Sequence, residues 1–185
     1  MKIDILQSNY SFDFERYCGL IVKSIPQTDI VGVNYLKFVS AFSNELSNPK
    51  SPACYLTNPG GVGSAIEVHV DNLAQASIPE YLLNKHPEIA ALFLSEIIGH
   101  EVGHHVHYCK RHGLKKKEEE VFAAKYAKAV YFNYLQSRRK QILAAYTRAS
   151  KSFLNFDKVG RKQFASSKQE LIYWLDANKD GIPFP

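Results

Sequence analysis

His100 and His104 stand four residues apart, and Glu101 directly follows the first of them. On an α-helix that spacing leaves about 40° around the axis and about 6 Å along it, so the two imidazoles converge on one point. Neutral imidazole is a good zinc ligand, and two carried on one rigid helix arrive with little ordering cost. Glu101 can then reach a water on such a metal without itself becoming a ligand, which is the position of a general base. The chemistry implied is metal-assisted hydrolysis. The bland alternative is a helix whose surface histidines fall at this spacing by accident. The neighbourhood argues against it. Ile97, Ile98 and Val102, with an Ala-Leu-Phe-Leu run upstream, imply a largely buried helix. Histidine and glutamate are poor residues to bury without partners.

A catalytic zinc ordinarily has three protein ligands and one open position. The metzincin extension would need a histidine at 110, where the chain has Lys110. The other common solution is a glutamate on the next helix, and Glu118, Glu119 and Glu120 open one after a short turn. Glu120 brings Ala123, Ala124 and Ala127 on its own face, small residues that permit a close approach to the histidine helix. Glu118 and Glu119 stay open as candidates. Acidic residues also favour a helix N-terminus with no metal involved.

The HEVGHHV stretch resembles the HExxH zincin metallopeptidases whose third ligand is a glutamate, the gluzincin-like kind. It is similar to the ImmA/IrrE-type and bacterial neutral zinc metallopeptidase families. Those families tend to follow HExxH with a helix of the form E-x-x-A-[DN]-x-[FY]-A, whose first glutamate is the ligand. Glu120, Ala123, Tyr126 and Ala127 match that form, and Ala124 departs from it where Asp or Asn is usual. That acidic residue would hold a ligand from behind, so its absence leaves the orientation of a histidine to another group. The resemblance spans roughly residues 65 to 130. It implies zinc on His100, His104 and Glu120, with Glu101 as the catalytic base acting on a protein or peptide substrate.

Other histidines carry weaker signals. His107, three residues after His104, stands near the metal face, either behind the ligands or as the next turn's polar residue. His105 points elsewhere, as a structural or exposed group. In AIEVHVD, Ile66, Val68 and Val70 alternate with Glu67 and His69, predicting a strand with one buried and one wet face. His69 is then a surface residue or an oxyanion donor beside the cleft, and this strand would border the cleft and pair with an extended substrate. DANKDGI (176–182) matches the first half of a calcium loop, but the twelfth-position glutamate is missing and an Asn/Asp/Gly turn is the better reading. Cys109 has no evident base directed at it.

The chain has 185 residues, 45% hydrophobic and 22% charged, enough for one domain over 1–185 with a sizeable core. The net charge of +5 invites a nucleic-acid reading. The basic residues are dispersed, however, and the runs at 110–117 and 137–140 read as solvated helix ends, so no nucleic-acid partner is expected. Three scattered cysteines suit neither a disulfide framework nor a cysteine zinc knuckle. No signal peptide or membrane-length apolar run is evident, which predicts a cytoplasmic protein and leaves signal-independent export open.

The elements that must position the site follow from periodicity. A helix is expected over 12–25, strand character within 29–42, a loop over 44–52 and two short strands over 53–72 joined by NPGGVGS. Pro87 starts a long helix ending near Gly113, and a second runs from about 117 to 149 with a break near SRRK. An amphipathic segment, SSKQELIYWLDA, follows. The expected fold is α+β and zincin-like: a small mixed or antiparallel sheet packed on the HExxH helix, with a second long helix carrying the glutamate. The expected function is a zinc peptidase. The competing readings are a metal-binding regulatory protein on the same scaffold, and a closed structural site with His107 or Glu119 as fourth ligand.

Overall fold

The computed structural model describes residues 1–5, 10–39, 50–57, 63–76, 78–110, 116–152 and 158–185. The basic run around Gly113, most of the NPGGVGS turn and most of the 44–52 loop lie outside these residues.

Among the described residues, four strands form one mixed sheet in the order β1-β2-β4-β3. β1 (Lys2–Ile5), β2 (Val33–Val39) and β4 (Ser64–His69) run parallel, and β3 (Ala53–Leu56) pairs antiparallel with β4 along the edge. The register sets Leu36 beside Ile66 and Phe38 beside Val68, all fully buried. This face receives α1 (Phe14–Val22), whose Phe14 ring lies 4.6 Å from that of Phe38. The Asp13 carboxylate starts α1 by accepting the Arg16 backbone N–H at 3.0 Å.

The wet face expected of β4 is not there. Glu67 is 8% exposed and His69 is fully buried. β4 is also an inner strand, with β2 on one side and β3 on the other. The edge strand on that side is β3, so β4 has no open edge for an extended substrate. Alternation along a strand reports side-chain chemistry and cannot report what covers each face.

α2 (Glu80–Lys85) leads into α3 (Pro87–Lys110), and α4 (Lys116–Ser137) and α5 (Arg139–Ser152) are separated at Arg138, where the break near SRRK was expected. α6 (Lys158–Ala177) closes the order. β1 and α2, each only a turn or a few residues long, carry too little periodicity to be read from the chain alone. α3 would be about 36 Å long at the usual rise, and Ile89, Leu92, Leu94, Ile98, Val102 and Val106 along it are buried. Aromatic residues of α4 behave as core: Tyr126, Phe132 and Tyr134 are buried. After α6, Asn178 donates to the Trp174 carbonyl at 2.8 Å and Gly181 takes a φ of +94°, an ordinary helix-ending turn. Among the described residues, no helix is long and apolar enough to cross a membrane.

Candidate metal centre

α3 and α4 fold back on each other through a seam of small residues. A Cβ built on Gly103 would lie 2.7 Å from the Ala123 backbone, and one on Gly99 would lie 3.1 Å from that of Ala127. No side chain larger than hydrogen fits at either glycine without movement. The alanines were visible in the chain as a small face. The two glycines, spaced four apart like the histidines, are the other half of that seam and were missed.

This approach brings Glu120 to the histidines. His100 Nε2 and His104 Nε2 are 3.1 Å apart. Glu120 Oε2 lies 3.5 Å from the first, and its Oε1 lies 3.9 Å from the second. Ligands about 2.0–2.1 Å from a tetrahedral zinc are separated by about 3.3 Å. The two nitrogens thus already stand close to one edge of a zinc coordination tetrahedron, and one Glu120 oxygen lies within 4.8 Å of both. At most one proton can lie between two nitrogens 3.1 Å apart, so a lone pair is available at the point of convergence. Burial, and then His104, depress the pKa of His100, with Glu120 opposing. That favours the neutral imidazole a metal requires.

Behind His104, Glu119 Oε1 accepts from Nδ1 at 2.9 Å. A carboxylate there fixes the tautomer and turns Nε2, stripped of its proton, toward the site. Glu119 supplies the orienting group that Ala124 cannot, and this use removes it as a third ligand. Glu118 is exposed and lies outside the group of His100, His104 and Glu120 that could hold an ion. His107 is not in that group either. Its buried ring packs 5.6 Å from Phe122.

Glu101 is 8% exposed and accepts a hydrogen bond from the backbone N–H of Tyr55, on edge strand β3. Burial pushes its carboxyl up to about 7, against the pull of His104 and that N–H. His105 is structural. Its Nε2–H donates to the Val31 carbonyl at 2.9 Å, and its Nδ1 accepts from the Tyr55 hydroxyl at 2.9 Å. Cys109 Sγ lies 3.7 Å from His105 Nε2, yet both ring nitrogens are engaged by these shorter bonds, so no free base serves the thiol.

His100 and Glu101 open into a cleft of about 310 Å³ that Pro52, Phe93, Ala124 and Lys128 also line. Phe93 continues into a cavity of about 670 Å³ walled by Tyr131, Tyr146 and Trp174. Glu96 and Lys128 are shared with another, of about 630 Å³, formed with Ile182 to Pro185. The metal candidates thus adjoin two further pockets with aromatic walls. Comparisons with family models, with curated proteins and with solved structures returned no match for this chain.

Proposed function

We propose that the protein is a zinc-dependent peptidase on a zincin-like scaffold, with His100, His104 and Glu120 as the metal ligands and Glu101 as the general base. The observation that carries this is the convergence of the two Nε2 atoms, 3.1 Å apart, and a Glu120 carboxylate oxygen within 4.8 Å of both. A zinc ion held there would supply a Lewis acid and an acidified water at neutral pH.

The chain's own groups account for the rest. Glu119 holds the His104 ring in its tautomer. Tyr55 N–H holds the Glu101 carboxylate, and burial leaves that carboxyl able both to accept and to return a proton near neutrality. Glu101 would take the proton of the attacking water and deliver it to the amine nitrogen as the peptide C–N bond breaks. Of the candidates for a fourth ligand, Glu119 is engaged by His104 Nδ1 and His107 lies outside the converging group, which supports an open coordination position over a closed structural site. The Phe93 side of the cleft favours substrates with an apolar residue near the scissile bond.

The test is Glu101→Gln, which keeps the shape and removes the base. Zinc content is expected to stay at the wild-type level while hydrolysis of a peptide library falls by about 10²–10⁴-fold. Equal hydrolysis by the variant and the wild type would overturn the assignment of Glu101.

A further inference from the structure

We infer that the inner face of the β3–β4 hairpin is a second binding site for a divalent transition metal, made of Cys54, Glu67 and His69. Cys54 and Glu67 are directly opposed across the hairpin, and His69 lies two residues beyond Glu67 on the same side of β4. One ligand atom from each lies within 4.8 Å of the other two. Tetrahedral zinc would set such atoms about 3.3–3.6 Å apart, so side-chain rotations closing about 1 Å complete the set.

The second observation is the state of His69. Its side chain is fully buried. Nδ1 lies 3.0 Å from the Ser51 carbonyl oxygen, which can only accept, so the proton is on Nδ1. Nε2 therefore presents a bare lone pair, and it has no hydrogen-bond partner among the described residues. A buried acceptor without a donor is destabilising; a metal ion would satisfy it. The arrangement behind the ring is the one metal-bound histidines use, an N–H anchored on a carbonyl. Asn72 donates to that same Ser51 oxygen at 2.9 Å and holds it in place.

Charge and access fit as well. A dication with one thiolate, one carboxylate and a neutral imidazole is a neutral centre, which burial tolerates. Sulfur, nitrogen and oxygen together select zinc or a similar borderline metal over calcium or magnesium. Cys54 is half-buried, which leaves a route in. A thiol nucleophile served by His69 is the poorer reading, because burial and the neighbouring Glu67 and Glu101 carboxyls push this thiol up to about 12. Glu67 stands opposite Lys37 of β2, whose ammonium lies 5.4 Å from the Tyr35 ring.

Cobalt titration of the metal-stripped protein separates this site from the histidine–glutamate centre, which has no sulfur. Wild type and His104→Ala are both expected to develop the near-ultraviolet sulfur-to-cobalt absorption, and Cys54→Ser to lose it while Cys109→Ser keeps it. In wild type, without any variant, zinc is expected to slow alkylation of Cys54 by about tenfold or more. No sulfur band at saturating cobalt, a band that survives Cys54→Ser, or unchanged alkylation of Cys54 with zinc would each overturn the site. Loss of metal from the His100–His104–Glu120 centre alone would leave the band in place, so the two assignments fail independently.

Discussion

Gly103→Ala tests whether the α3–α4 seam sets the metal centre. The added methyl would stand 2.7 Å from the Ala123 backbone and 3.0 Å from Tyr126 Cβ, where ordinary contact begins near 3.4 Å. The helices must part by about 0.7 Å, because a backbone atom cannot swing aside as a side-chain tip can. Overpacking of this kind costs about 1–3 kcal/mol, against a gain of up to about 1 kcal/mol from replacing a helical glycine. A net loss of about 1 kcal/mol lowers the melting temperature by about 2–4 °C in a chain of this size. The effect on zinc is larger. Ligand distances are held within about 0.2 Å, so moving the helix that carries Glu120 by several times that amount weakens binding by about tenfold or more. Gly19→Ala in α1 is the control, because nothing lies within 4 Å of its added carbon. It is expected to be neutral or slightly stabilising, with zinc binding unchanged. Calorimetry on the metal-free proteins and competitive zinc titration give both quantities. A Gly103→Ala protein with wild-type melting temperature and wild-type zinc affinity would refute the reasoning.

Two further outcomes follow from single contacts. Glu119→Gln removes the carboxylate that anchors His104 Nδ1 and is expected to weaken zinc binding by about 10–100-fold, with melting of the metal-free protein little changed; an unaltered zinc titration would show that His104 needs no such support. His86 is buried, and burial, followed by Arg148, lowers its pKa below the usual 6.5 while Glu88 opposes. Its contribution to stability is therefore present above the unfolded-state value and is lost as pH falls through it, because the unfolded chain takes up the proton first. Between about pH 7 and 5.5 the urea midpoint of wild type is expected to fall more steeply than that of His86→Asn. Parallel curves would contradict this.

What could be read from the chain follows the range of the interactions. The pairing of His100 and His104 is a property of one helix, so the four-residue spacing and the apolar run around it were enough to place both imidazoles together. The choice among Glu118, Glu119 and Glu120 depends on how α4 lies against α3. The alanines at 123 and 127 pointed to Glu120, but the glycines they pack against, Gly99 and Gly103, were overlooked. The role of Glu119 on His104 could not be seen, because it joins a helix N-terminus to a residue 15 positions away. The error on β4 has the same origin. Glu67 and His69 look like the wet positions of an alternating strand, and only the packing of the folded chain over that face buries both. Cys54, Glu67 and His69 then meet through antiparallel pairing across the hairpin, which the spacing of the residues along the chain does not display.

The central claim is that His100, His104 and Glu120 hold one zinc ion. Metal per chain after dialysis, measured on wild type, His104→Ala and Glu120→Ala in a Cys54→Ser background that removes the hairpin site, tests it most directly. Close to one zinc is expected for the background protein, with a clear loss in both further variants. No zinc in the background protein even after reconstitution, or full retention in Glu120→Ala, would contradict it.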